Sequence, residues 1–280
     1  MTGLSIAELP WPEDPYRVDL HDPKFESALD ANKEDTYRAK LLRIDASNHG
    51  GDWGRNAADL ADRIDPDLNS TPPKTIASSR YMRSQRIPIA GGLWKLFDED
   101  ETNQVVRYDL VKPSLSRDLE GLLEESPKRA ANELRADVLR GSKGKLEGFP
   151  FAAYHNEYDN LSQWYQGHFH LLVSGDYVDR VENMRGLKGY KSTETVRTPI
   201  LAHQTIINPA HALTYLIKGY WLQRPFLSLG ANGALKRPRT GQRLDAPFHS
   251  QMLLWLDQWT LSDLTLLMGI RVTKGGLCLS

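Results

Sequence analysis

The chain has 280 residues, of which 40% are hydrophobic and 25% are charged, a composition typical of a soluble globular protein. Its single cysteine, Cys278, excludes an intrachain disulfide and a cysteine-based zinc cluster, and it favours a reducing, cytoplasmic compartment. The first residues lack the basic segment and apolar core of a secretory signal, and no long apolar run predicts a membrane span.

Charge is distributed unevenly along the chain. Residues 1–78 carry 9 basic and 15 acidic side chains, a net charge of −6, whereas residues 79–280 carry 26 and 21, a net charge of +5. The segment 236–243, KRPRTGQR, contains four basic residues and no acidic one. Such a cluster is able to neutralise phosphates, although a solvated loop is the simpler interpretation of this segment alone.

The acidic first section, residues 1–80, is predicted to be partly helical. Residues 1–25 are rich in proline and acids and resemble an irregular arm. Helices are expected at 26–46 and 55–64, separated by a glycine-rich break. No chemistry is assigned to this N-terminal extension.

From residue 87 onward, short apolar runs alternate with helical spacing. Strands are predicted at 87–97, 104–112, 147–159, 167–175 and 193–207. Helices are predicted at 117–141, capped by Ser116 and kinked at Pro127, and at 177–186 and 209–223.

This order of elements favours an α+β fold. The expected core is a central antiparallel sheet of about five strands with helices packed on it, spanning residues 81–225. Residues 226–280 are predicted to form a basic loop and a helical extension, with an apolar helical pattern from Phe248 to Met268.

Two histidines on one predicted strand form the first candidate site. In Gly167-His168-Phe169-His170, alternation along a strand places both imidazoles on one face, about 6–7 Å apart. That separation allows both rings to bind one divalent ion, although two polar residues on a solvated face explain the pattern equally well.

The preceding strand supplies a candidate third ligand. His155 and Glu157 also lie two residues apart, and in a hairpin their face joins that of His168 and His170. A carboxylate from Glu157 with two imidazoles makes a site suited to Mg²⁺ or Mn²⁺. His155 is the alternative or additional ligand, and Glu157 as a plain surface acid is not rejected.

The third candidate element is Tyr215-Leu216-Ile217-Lys218 on the helix that follows Pro209. Residues three apart on a helix share a face, so Lys218 is expected beside the Tyr215 phenol. A nearby cation favours the phenolate, which makes tyrosine a usable nucleophile. An amphipathic helix with a half-buried tyrosine and a lysine reaching the surface is the alternative.

Together and in this order, these elements resemble the HUH endonuclease superfamily of replication initiators, relaxases and single-tyrosine transposases. His168-Phe169-His170 is similar to its paired-histidine motif, and Tyr215-Leu216-Ile217-Lys218 is similar to the Tyr-x-x-Lys motif of replication initiators. The resemblance covers roughly residues 88–223. The stretch 104–116 stands where the family has its first motif but lacks the usual threonines.

The resemblance implies a metal-dependent DNA nickase that initiates rolling-circle replication. It implies that Tyr215 cuts single-stranded or hairpin origin DNA through a 5′-phosphotyrosine intermediate, that Lys218 assists, and that His168, His170 and Glu157 hold a Mg²⁺ or Mn²⁺ ion. Host replication proteins are further expected partners, and no membrane is expected.

Other functions remain open at this stage. A transposase or relaxase would use the same chemistry, whereas a non-catalytic nucleic-acid-binding protein would use the sheet without it. A cupin-type metal site is disfavoured because Ser174 and Gly175 stand where that pattern needs glutamate. A fused helicase of the usual type is disfavoured because no P-loop motif is present.

Overall fold

A computed structural model defines the architecture of the chain. It describes residues 26–99, 105–193, 198–206, 209–219, 221–224, 228–229, 235–236 and 242–280. The predicted N-terminal arm and the centre of the basic segment, residues 237–241, lie outside these ranges.

The N-terminal section forms three helices: α1 (Ala28–Asn48), α2 (Gly51–Ile64) and α3 (Ser79–Glu99). Helix α1 begins with a capping box, because the Ser27 hydroxyl accepts from the Asp30 backbone N–H while the Asp30 carboxylate accepts from the Ser27 N–H. Both helices predicted for this section are confirmed.

The strand predicted at 87–97 is wrong, because these residues continue helix α3. Ile89, Leu93 and Leu96 are buried at helical spacing, which a short apolar run does not distinguish from strand alternation. Helix α3 also accommodates Pro88 in its interior. A Cβ on Gly92 would lie 2.8 Å from a Leu277 side-chain carbon, so this glycine allows the C-terminal hairpin to pack closely.

The α+β fold class is confirmed by a central sheet of seven strands. The strands are β1 (Val106–Arg117), β2 (Pro150–Asp159), β3 (Trp164–Val173), β4 (Ile200–Thr205), β5 (Leu222–Arg224), β8 (Gln242–Arg243) and β9 (Thr265–Leu267). Their order in the sheet is β4-β1-β3-β2-β5-β8, and β9 also pairs with β2. All pairs are antiparallel except β2 with β5. Strand β3, which carries the paired histidines, is therefore covered on both edges.

Several predicted helices are shorter than expected. Strand β1 continues through Ser116, and α4 (Pro127–Leu139) begins only after Ser126, whose hydroxyl accepts from a first-turn N–H. Pro127 therefore starts a helix instead of kinking one, as its missing N–H allows. The next helix, α5 (Tyr177–Asn183), confirms the expected element and is followed by short 3-10 turns at Met184–Gly186 and Lys188–Tyr190.

The last two predicted helices also end early. Helix α6 (Pro209–Leu216) gives way to β5, and α7 (Phe248–Leu256) is followed by β9 and the hairpin of β10 (Ile270–Thr273) and β11 (Gly276–Leu279). A second short hairpin joins β6 (Ser228–Leu229) to β7 (Leu235–Lys236). The C-terminal section thus adds strands as well as a helix, and β9 completes the edge of β2.

One connected core unites these elements. Buried apolar side chains from α1, the central sheet, α7 and β11 form a single cluster. Among the described residues, no helix has the length and apolarity needed to cross a membrane.

Candidate metal centre and nucleophile

Three histidines meet on one face of the central sheet. The β2–β3 register places His155 directly opposite His168 and Ala153 opposite His170, so all three imidazoles project to the same side. The ring centroids are separated by 4.5 to 5.7 Å, and one nitrogen from each ring lies within 4.8 Å of the other two. The shared face predicted for these strands is confirmed, and each histidine is only 3% exposed.

Hydrogen bonds orient each ring of this cluster, called here the histidine triad (His155, His168 and His170). His168 donates from Nδ1 to the Gln166 carbonyl at 2.9 Å, which leaves Nε2 with a lone pair. His155 donates from Nε2 to the Leu216 carbonyl at 2.7 Å, which leaves Nδ1. Three hydrogen-bonded rings with remaining nitrogen lone pairs are a common arrangement for metal ligation.

His170 gives the clearest indication that the triad could bind an ion. Its Nδ1 donates to Asp109 Oδ1 at 2.5 Å, while its buried Nε2 has no hydrogen-bond partner among the described residues. An unpaired buried nitrogen costs free energy, which a metal ion would offset. Burial lowers the pKa of all three imidazoles, that of His170 to about 4, so the rings are neutral at physiological pH as ligation requires.

The donor set bears on which ion fits. Three imidazoles suit divalent transition metals such as Mn²⁺, Co²⁺ or Zn²⁺, whereas Mg²⁺ prefers oxygen ligands. The structure therefore shows a histidine triad that could bind a metal ion, with a donor set less suited to Mg²⁺ than the expected carboxylate-containing one.

Glu157 lies outside the triad and binds two cations. Its carboxylate accepts from Arg224 Nε at 2.9 Å and from Lys218 Nζ at 3.4 Å. Burial raises the pKa of Glu157, but the charges of His168, Lys218 and Arg224 outweigh it and lower the value to about 2. The structure thus gathers His155, rather than Glu157, with His168 and His170, and gives Glu157 the role of holding Lys218.

Asp109 on β1 supports the triad from the neighbouring strand. It lies opposite His170 in the β1–β3 register, and its second oxygen accepts from His203 Nε2 of β4 at 2.7 Å. Arg107 also contacts this carboxylate at 3.1 Å. Burial raises the pKa of Asp109, yet hydrogen bonding and charge from His170 and Arg107 outweigh it and depress that pKa far below its usual range. A carboxylate hydrogen-bonded to a ligand imidazole fixes its tautomer and increases its basicity.

Tyr215 lies beside the triad although 45 residues separate it from His170. The two ring centroids are 4.9 Å apart. Lys218 Nζ lies 4.1 Å from the centre of the phenol ring, and the Arg107 guanidinium carbon lies 4.3 Å from it. Two cations therefore flank a phenol next to a candidate metal centre.

Lys218 lies beside Tyr215 as expected, but it is not on the same helix. Helix α6 ends at Leu216, so Lys218 lies in the following turn and not on the same helix. Three backbone carbonyls at the end of α6 and in this turn accept hydrogen bonds from side chains. The Leu216 carbonyl accepts from His155, and the Ile217 carbonyl accepts from Arg86 Nε. The Gly219 carbonyl accepts from Arg38 at 2.9 Å. The end of a helix leaves such carbonyls without intrahelical partners, and here three side chains satisfy them. A Cβ on Gly219 would collide with Arg86 Nη1, so a larger residue here would displace the Arg86 guanidinium.

Sequence reasoning missed Asp109, Arg107 and His203. Arg107 and Asp109 do alternate on a predicted strand, which puts them on one face. Their proximity to His170 depends on the register between β1 and β3, which no local pattern specifies. His203 is two strands from His170 in the sheet, and both histidines contact the Asp109 carboxylate.

No protein-family model matches the chain, and no curated protein or solved structure shows significant similarity to it. The case for a function therefore depends on the geometry of this site.

Proposed function

We propose that this protein nicks and rejoins single-stranded DNA with Tyr215 as the nucleophile, as a replication initiator of the rolling-circle type. The observation that carries the proposal is the position of Tyr215, 4.9 Å from His170 and flanked by Lys218 and Arg107. A tyrosine beside a metal-competent histidine triad is suited to phosphoryl transfer.

In the proposed reaction, the Tyr215 oxygen forms a bond to the scissile phosphorus. The bond from phosphorus to the 3′ oxygen breaks, and the phenol proton ends on the released 3′-hydroxyl. The product is a 5′-phosphotyrosine, and reversal of the step restores the phosphodiester without ATP. The free 3′-hydroxyl is the primer for replication.

Several side chains support this chemistry by charge and position. Lys218 and Arg107 would neutralise phosphate oxygens beside Tyr215, and Glu157 holds Lys218 in place. A bound divalent ion would supply Lewis-acid polarisation of the scissile phosphate. The histidine triad would hold that ion.

The proposed substrate is a single strand, either extended or extruded from a hairpin. Arg107 and Lys218 place positive charge at Tyr215, and Arg224 joins Lys218 on the Glu157 carboxylate, which favours a polyanionic ligand. The basic segment 236–243, further along the chain, contains four more cationic residues.

The proposal is tested by trapping the covalent intermediate. The full chain is incubated with a 3′-labelled pool of randomised single-stranded oligonucleotides and Mn²⁺, and the products are resolved on denaturing gels. We expect a labelled protein–DNA adduct, and sequencing of its DNA would reveal the preferred cleavage site.

Matched variants identify the nucleophile. Tyr215→Phe should eliminate the adduct, whereas Tyr81→Phe on α3 should retain it. His168→Ala and His170→Ala should each reduce it at least tenfold. An adduct that persists in Tyr215→Phe would move the nucleophile elsewhere, with Tyr220, outside the described residues, as the next candidate. Tight DNA binding with no adduct in the unmodified protein would favour a non-catalytic nucleic-acid-binding protein.

A further inference from the structure

A cavity of about 190 Å³ opens between α1, the strands β5 and β8, and α7. Its volume far exceeds the ~10–15 Å³ that one water needs but is below the ~300 Å³ of the smallest typical drug-sized pockets. Trp221, Leu222 and Met252 form much of its apolar wall. These dimensions suit a flat ligand of one or two rings.

One imidazole that lines the cavity has a nitrogen without a partner among the described residues. The side chain of His249 is 6% exposed, and its Nδ1 has no hydrogen-bond partner among the described residues. Burial lowers the pKa of this imidazole to about 3, so the ring is neutral at physiological pH. A neutral imidazole carries one donor and one acceptor, and a ligand with both kinds of group would satisfy it.

The rim of the cavity carries one acidic and two basic side chains that pair with one another. The Glu34 carboxylate accepts from Arg38 at 3.0 Å and from Arg243 at 2.7 Å, and each oxygen retains a further acceptor site. The half-exposed Arg243 guanidinium lies 4.3 Å from the centre of the Tyr37 ring. A planar ligand could stack on the Arg243 guanidinium as Tyr37 does, and the Glu34 carboxylate could accept a hydrogen bond from an amino group of that ligand.

The cavity adjoins the histidine triad through one residue. The Trp221 indole lies 5.2 Å from the His155 ring, centroid to centroid, and its side chain also lines the cavity. A strand held at Tyr215 therefore passes close to the cavity.

We propose that this cavity binds a single amino-bearing nucleobase: adenine, guanine or cytosine. Such a base is planar and uncharged, and it offers an amino donor to Glu34 and ring nitrogens to His249. Thymine lacks the amino group, and a free phosphate would face the Glu34 carboxylate. The base comes either from a free nucleoside or from an unpaired nucleotide of the nicked strand, and the second source rests on the proposed function.

The first arm of the test uses free deoxynucleosides with the full-length protein. Deoxyadenosine, deoxyguanosine, deoxycytidine and thymidine are titrated while tryptophan fluorescence and calorimetric heat are recorded. We expect at least one amino-bearing nucleoside to bind at least tenfold more tightly than thymidine if the free ligand suffices.

The second arm uses the oligonucleotide recovered from the nicking assay. One nucleotide at a time is replaced by an abasic site, and binding is measured by anisotropy without metal. We expect one position to weaken binding by about tenfold, the effect of one lost base–aromatic contact, since such contacts contribute roughly 1–3 kcal/mol.

Two variants tie the result to the cavity. Leu222→Trp fills it from a partly exposed strand, and His249→Phe keeps the ring but removes both nitrogens. Both should abolish the nucleoside preference and the abasic effect, and Leu68→Trp at an exposed site should change neither. Thermal unfolding checks that each variant is folded.

The outcomes separate this proposal from the proposed function. An adduct at Tyr215 with no position-dependent abasic effect and no nucleoside binding overturns the base site and leaves the nickase intact. Nucleoside binding that Leu222→Trp and His249→Phe both abolish supports the base site even if no adduct forms. Nucleoside binding or an abasic effect that survives both variants overturns it.

Discussion

The carboxylate of Asp109 provides a sharp test of the metal centre, because it contacts a triad ring without facing the proposed ion. Substitution by asparagine keeps the shape of the side chain and removes its charge. Asparagine has a single oxygen, so it cannot accept from both His170 Nδ1 and His203 Nε2 as Asp109 does at 2.5 and 2.7 Å.

The expected magnitude follows from these contacts. A hydrogen bond to a charged group contributes about 1.5–3 kcal/mol, and loss of a carboxylate that orients a ligand histidine typically weakens metal binding 10–100-fold. We therefore expect Asp109→Asn to weaken binding of Mn²⁺ or Co²⁺ by about one to two orders of magnitude. His170→Ala should weaken it further because a ligand is lost.

Isothermal titration calorimetry with Mn²⁺, and the visible absorption of bound Co²⁺, would measure this effect. Asp257→Asn is a matched control, because the Asp257 side chain is 23% exposed against 21% for Asp109 and is also paired with an arginine. Metal affinity that is equal in Asp109→Asn and the unmodified protein would refute the inference that Asp109 orients a ligand.

Three further predictions concern metal removal, packing and pH. Mn²⁺ at 100 times its Kd should stabilise the folded protein by about 2.7 kcal/mol, measured as a rise in melting temperature. A chelator should reverse this stabilisation, and His155→Ala should eliminate it. A melting temperature that does not change when metal is added would argue against the site. Gly167→Ala should lower the free energy of unfolding, measured in urea, by about 1–3 kcal/mol. The reason is that the alanine Cβ would lie 2.2 Å from the Tyr154 hydroxyl and 2.7 Å from the Leu115 carbonyl oxygen. Unchanged stability would contradict this packing. Burial lowers the pKa of His249 to about 3 from 6.5, so between these pH values the unfolded chain binds a proton that the folded chain excludes, and stability falls as pH falls. His249→Phe should remove about 2 kcal/mol of the loss between pH 7 and pH 5, and urea titrations with identical pH dependence in both proteins would refute it.

Local pattern was sufficient for the strands that carry the triad. Alternation in 167–173 and 151–157 reveals which side chains share a face, and one short connection makes the hairpin the simplest pairing. Local pattern failed at 87–97, where a short apolar run is compatible with either a strand or a helix, and Pro88 and two glycines disfavour both. The segment is helical because it packs between α1 and β11.

The identity of the third triad member was beyond what spacing decides. His155 and Glu157 lie on the same face of β2, so periodicity treats them alike. What distinguishes them is that Lys218 and Arg224, 60 or more residues later in the chain, donate hydrogen bonds to the Glu157 carboxylate. Long-range partners of this kind leave no signal in a local window of sequence.

The turn that follows Tyr215 has a consequence for any attempt to transfer the histidine triad and Tyr215 to a smaller protein. The guanidinium groups of Arg38 and Arg86 donate hydrogen bonds to its backbone carbonyls. Arg38 lies in the acidic section that precedes the sheet. A fragment that starts at residue 80 would retain the histidine triad, Tyr215 and Arg86, but it would lose Arg38 and also Glu26, the ion-pair partner of Arg86. Helix α1 and the residues before it thus support the turn beside Tyr215, and the smallest unit that keeps this geometry must include them.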